Sequence, residues 1–193
     1  LILPKFLLSV ALLPILIASP TAFQEQLTGF DPVLRHALWL GLVSYIVMKF
    51  FIYDFGHFYR LGHGMVTSCF QFLKPLVNAA PYVLPIYTIL VLIVYAVMNA
   101  TGKVGGWKEL FFSLLAFTFT MHVILTAQDL YKKDASVLKP MYFFAMTLVY
   151  IFDVFFVAML MHLMLTGFSF PHFFQSLVSG SFHIYKAAFH QLF

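Results

Sequence analysis

Apolar stretches about as long as a bilayer is thick recur along this chain, and no other feature restricts its folding as much. A helix that crosses the hydrocarbon layer needs about 20 mostly apolar residues. The sequence predicts such spans at Leu3–Ser19, Leu34–Phe55, Tyr82–Ala100, Leu110–Leu130 and Met141–Thr166. Composition supports this: 62% of the 193 residues are hydrophobic and 9% are charged, against roughly 25% charged residues in soluble domains. A soluble domain near this size leaves about 30% of its unfolded-chain surface in water, which here would put Phe and Leu on every face. The expected fold is an all-α integral membrane protein with about five transmembrane helices.

Residues that break helices mark the boundaries. Pro20, Pro32, Pro81 and Pro140 fall at expected span ends, because proline lacks the amide proton needed inside a helix and is harmless in the first turn. Thr101-Gly102 and Gly105-Gly106 close another span. The organisation expected is a single polytopic domain. It has an N-terminal anchor helix over 1–19, a core bundle over 34–166 and an amphipathic helix over 168–193. Leu1–Ala22 also has the basic, apolar and small-residue order of a secretory signal, and is read as a retained anchor.

Two apolar segments are too short or too interrupted to cross. Gly64–Ala80 contains Gln71, Lys74, Pro75 and Asn78 and reads as a re-entrant or interfacial piece. In Phe168–Phe193, His183, Lys186 and His190 recur on one side with Phe182, Ala188 and Phe189 opposite. That pattern reads as a helix lying in the membrane interface. With the N-terminus inside, five spans place Lys5, Arg60, Lys74, Lys132, Lys133 and Lys139 on the cytoplasmic side and Arg35, Lys103, Lys108 and Lys186 outside. This is a small positive-inside bias. The net charge of +4 comes from scattered residues without a basic run, so nucleic acid is not an expected partner. The single Cys69 rules out a disulfide within the chain and a Cys-rich zinc site.

Ionisable residues within hydrocarbon cost at least about 2.5–3.5 kcal/mol on insertion scales, so each is a functional candidate. Asp54 and His57, three apart at the end of the second span, would share a helix face. His63 follows closely. His122, Thr126 and Asp129 form one face of the fourth span, and Tyr150 and Asp153 sit one turn apart in the fifth. Asp153 is expected to bond His122 or Tyr150 as glue between helices, with Tyr150 and Thr126 as further structural polar groups. Histidine is the commonest metal ligand, so His57, His63, His122 and Asp54 form the candidate metal set. No residue is assigned a catalytic role.

Three stretches together resemble a known family: Tyr53-Asp-Phe-Gly-His57, then Leu76-Val-Asn-Ala-Ala-Pro-Tyr-Val-Leu-Pro85-Ile-Tyr, then His122 with Thr126. Over roughly residues 50–165 the chain is similar to a bacterial branch of the intramembrane zinc metallopeptidases of site-2-protease type. That family uses a Gly-His-Glu-x-x-His helix, in which two histidines one turn apart hold zinc and the glutamate activates its water. His57 matches the first histidine. Phe58 stands at the glutamate position and Leu61 at the second histidine, with Gly62-His63 two residues late. The third ligand would fall near Asp134 or Ser136. The resemblance therefore implies a degenerate member that keeps the scaffold without proteolysis.

The function expected is a non-catalytic helical subunit that packs in a larger membrane complex. Its partners are the lipid bilayer and other membrane subunits or further copies of itself, and by resemblance its location is the bacterial inner membrane. Two alternatives stay open: an atypical zinc metallopeptidase built from His57, His63, His122 and Asp54 or Asp153, and a haem- or pigment-binding subunit using His122, His162 or His57. Transport is disfavoured, because no symmetric pair of broken helices is present.

Overall fold

The structure, a computed structural model, describes the backbone of residues 2–72, 79–134 and 140–192 and the side chains of 3–72, 79–132 and 142–191. Of the described residues 87% are helical, and they include no strand. Among the described residues eight α-helices follow in order: α1 (Ile2–Leu27), α2 (Pro32–Phe51), α3 (Gly56–Cys69), α4 (Ala80–Val83), α5 (Ile86–Ala100), α6 (Lys108–Asp134), α7 (Pro140–Met164) and α8 (Phe170–Leu192). Among the described residues four stretches are helical, long and apolar enough to cross a membrane: Leu3–Leu27, Pro32–Phe51, Gly105–Lys132 and Tyr142–Met164.

The expected third span, Tyr82–Ala100, is cut short. Leu84 is extended at φ −103° and ψ 106°, as a residue preceding a proline prefers. Pro85 then separates α4 from the 15-residue α5, which at 1.5 Å per residue covers about 22 Å of a hydrocarbon core about 30 Å thick. α1, by contrast, runs through its expected end at Pro20 and also contains Pro14. Pro20 cannot bond the carbonyl of Leu16, and the Ser19 hydroxyl donates to that carbonyl instead at 2.9 Å. A neighbouring hydroxyl thus restores the bond that made proline look like a terminator. The second expected span also ends early, at Phe51, and the chain turns before α3 begins at Gly56. The segment expected to be re-entrant divides in two: Gly64–Cys69 continues α3, while Lys74, Pro75 and Asn78 lie outside the described residues.

The chain divides into two compact units, Leu1–Phe30 with Leu130–Phe193, and Asp31–Asp129. In the first, α1 packs on both members of an α7–α8 hairpin. Gly167 turns the hairpin with φ +105°, a conformation natural only to glycine. The fully buried Phe173 meets Phe23 with ring centroids 4.7 Å apart. Asp153 is fully buried with Val154, Val157 and Ala158 on α7. The Tyr150 hydroxyl shares a 3.0 Å hydrogen bond with Ser19, so this tyrosine ties α7 to α1.

In the second unit, Asp31 caps α2 by accepting from the Val33 amide at 2.9 Å, with Pro32 in the first turn. Gly41 lets α2 approach the α6 backbone at Ser113 closely. One turn further along both helices, Tyr45 stands edge-on to Phe117 at 5.3 Å. Tyr45, Phe55, Tyr59, Met121 and Leu125 form the buried core here. α5 runs antiparallel to α6, since Thr88 bonds Thr118 at 3.2 Å while Tyr95 packs on Phe111.

Candidate functional site

The polar side chains of the second unit gather where α3, α4, α5 and α6 meet. Pro81 and Pro85 hold the short α4 turn between them, which presents both the carbonyl and the side chain of Tyr82 to α6. His122 Nε2 donates to the Tyr82 carbonyl at 3.1 Å. The Tyr82 hydroxyl donates to Asp129 Oδ2 at 2.9 Å. Two turns of α6 therefore grip one residue of α4, by its backbone and its side chain. Beside them the Tyr59 hydroxyl of α3 shares a 3.0 Å hydrogen bond with the fully buried Thr126. The Tyr87 hydroxyl donates to the Phe58 carbonyl at 2.6 Å, which joins α5 to α3.

These groups enclose a cleft lined by Tyr59, Gly62, His63, Tyr87, Met121 and His122 among others, with a cavity of about 10 Å³, the room of about one water molecule. His63 stands edge-on to Tyr82, with ring centroids 5.1 Å apart, and lies 5.9 Å from the Tyr59 ring. Gly62 makes the close approach of α3 to α5 possible, because a Cβ there would lie 2.7 Å from the Tyr87 ring. Tyr59, Tyr82 and Tyr87 thus build the site, and the sequence reading passed over all three. For Tyr82 and Tyr87 the signal was the proline-bounded Pro81-Tyr82 to Tyr87 stretch, which was used only for the family resemblance; Tyr59 carried none.

Of the proposed metal set, His63 and His122 line this cleft and the other two residues do not. Asp54 is not on a helix with His57. It lies in the turn between α2 and α3, where Oδ1 accepts from the Gly56 amide at 3.1 Å and pairs with Lys49 at 3.6 Å. Its side chain is 84% exposed. His57 is exposed in the first turn of α3, beside Phe58. The helix break after Phe51 separates the pair, since a turn replaces the continuous face that the spacing implied.

Among the described residues no three His, Cys, Asp or Glu side chains are arranged to hold a metal ion. The side chains of Asp134 and Ser136, where the family resemblance puts a third ligand, lie outside them. Zinc needs three protein ligands at about 2.0–2.2 Å in a hydrolytic site, so the donors described do not fit one. His162, a haem candidate, donates from Nδ1 to the Phe168 carbonyl at 3.0 Å, across the α7–α8 turn, which orients the ring and leaves Nε2 outside that bond. No protein-family model matches the chain, and no curated protein or solved structure matches it either.

Proposed function

We propose that this chain is a multi-pass integral membrane subunit without hydrolytic chemistry. In this reading it is a degenerate scaffold of the site-2-protease type that packs in a larger complex of a bacterial inner membrane. The carrying observation is the use made of the cleft's polar groups. His122 is bonded to the Tyr82 carbonyl, the Tyr82 hydroxyl to Asp129, and Tyr59 to Thr126. Each of these bonds joins one segment to another, as interhelical polar groups do where the bilayer supplies no competing water. An active site would instead aim its donors at a common point where substrate or metal sits.

A second reading, the atypical metallopeptidase, draws on one observation: His63 and His122 line the same cleft. Metal analysis of the detergent-purified protein separates the two, with His57→Ala, His63→Ala and His122→Ala variants beside it. The subunit reading expects zinc well below one per chain and unchanged across the variants. One zinc per chain, lost in His63→Ala or His122→Ala, would overturn it. An absorption spectrum of the same sample without a Soret band removes the haem alternative.

A further inference from the structure

α3 runs across the end of its unit instead of along it. α2 is parallel to α6, since Gly41 abuts Ser113 and Tyr45 packs on Phe117, and α5 is antiparallel to both. The end of α2 and the start of α5 therefore lie at the same end of Asp31–Asp129, and the α3 segment meets both helices there. Phe55, which caps α3, packs on Tyr45 and on Phe117 with ring centroids 5.5 Å apart in each case. Further along α3, Gly62 abuts Tyr87, the neighbour of Thr88, which bonds Thr118. Phe117 and Thr118 are adjacent on α6, so from Phe55 to Gly62 about 10 Å of chain at helical rise gains little height along the bundle.

This layer stands at the depth of a membrane surface when α2 crosses. α2 has 20 residues and covers about 30 Å, the thickness of the hydrocarbon core. Tyr45, level with Phe55, is about 9 Å short of the end of α2 at Phe51. Helices that lie in the interface sink their apolar face about 5–10 Å into it. Asp54, just ahead of α3, is 84% exposed and paired with Lys49; such a carboxylate is tolerated among headgroups and costly in hydrocarbon.

α3 has three sides. Phe55, Tyr59, Gly62 and Val66 form the buried one. Phe58, Leu61 and Met65 form an apolar edge, 45%, 51% and 48% exposed. His57, Arg60, Gly64 and Ser68 form an exposed polar edge. The buried side fixes where the two edges point. At helical spacing Gly62 adjoins the apolar edge, and it faces Tyr87 at the level of the spans. His63 adjoins the polar edge and faces Tyr82, which bonds Asp129, while Tyr59 reaches Thr126. Those partners lie further along α6, away from the middle of the bundle. The apolar edge is thus turned towards the spans and the polar edge away from them.

We propose that α3 is a membrane-surface helix, with Phe58, Leu61 and Met65 in the acyl layer and His57 and Arg60 among phospholipid headgroups. This rests on the membrane-subunit reading and assigns the surface by which the subunit grips one leaflet. The Arg60 guanidinium suits this depth, because its planar fork matches phosphate geometry. A protein partner would cover both edges alike, whereas a bilayer surface offers an apolar layer beside a polar one, in the order that the two edges present.

The test uses the purified full chain with Cys69→Ser in phospholipid vesicles. A fluorophore is attached to Leu61→Cys or Met65→Cys on the apolar edge, or to Gly64→Cys or Ser68→Cys on the polar edge; two positions on each edge guard against a variant that fails to fold. Lipids bearing a nitroxide on the acyl chain are expected to quench the labels at 61 and 65 and spare those at 64 and 68, and aqueous iodide to do the reverse. Equal quenching of all four by either agent overturns the proposal. So does protection of 61 and 65 from both, which would mean protein covers that edge. Extraction of native membranes at alkaline pH tests the underlying reading separately. A chain that stays with the membrane but lacks the quenching pattern overturns the placement of α3 alone, whereas release overturns the membrane reading.

Discussion

Replacing Gly41 by alanine tests how closely α2 and α6 are held. A Cβ at Gly41 would lie 1.9 Å from the Ser113 carbonyl oxygen and 2.7 Å from its carbon. Ordinary contact begins near 3.4 Å, so α2 must recede by 1.5 Å at this point. The obstacle is helix backbone, which has no rotamer to change. Overpacking costs about 1–3 kcal/mol, and a clash with backbone belongs at the upper end. Alanine returns about 1 kcal/mol of helix propensity over glycine. The net loss expected is about 2 kcal/mol, before counting the separation of Tyr45 from Phe117 one turn away. The assay is unfolding of the purified protein in detergent micelles by titration with a denaturing detergent, with Gly64→Ala as the control. Gly64 lies within α3 and nothing would come within 4 Å of its Cβ. That variant should be unchanged or more stable by up to about 1 kcal/mol. Gly41→Ala at or above wild-type stability would refute the close approach of α2 to α6.

Three further outcomes follow from individual polar groups. The Tyr45 hydroxyl is fully buried without a hydrogen bond among the described residues, so Tyr45→Phe should stabilise the protein by about 1 kcal/mol; destabilisation in the same titration would mean that the hydroxyl is satisfied. Tyr82→Phe removes the bond to Asp129 and should cost about 1.5–3 kcal/mol; a stability change below measurement would show that α4 is held by its backbone alone. Gln26 donates to His172 Nδ1 and accepts from the Ser169 amide, so Gln26→Leu should loosen the start of α8 and cost about 1–3 kcal/mol, read as faster amide exchange at 169–173 and sinking the assignment if exchange is unchanged.

Helix as the local structure was legible in the sequence, because apolar runs of this length leave the backbone few other ways to satisfy its own polar groups in lipid. Asp31-Pro32 before α2 and Thr101-Gly102 after α5 were equally local signals, and the helix ends fall there. Pro20 was misleading for a reason the pattern does not carry: whether a proline ends a helix depends on what satisfies the carbonyl four residues earlier, and here Ser19 does. The pairing of Asp54 with His57 failed similarly. Spacing puts two residues on one face only while the helix continues, and α2 stops at Phe51.

The candidate site depended on contacts far apart in sequence. Tyr82 meets residues 40 and 47 positions away, and Tyr59 meets Thr126 at 67; no local period encodes such partners. For α8 the sequence supplied two faces, but it could not say which the chain itself would cover. The buried stripe is Phe173, Leu177 and Ser181 against α1, whereas Phe182 and Phe189 stay exposed. Sequence thus determined that the chain is helical and apolar, through interactions within a turn or two. Tertiary structure decided which polar groups meet and which faces remain open, because those depend on the register between helices, set by close approaches such as Gly41 on Ser113 and Gly180 on Ala18.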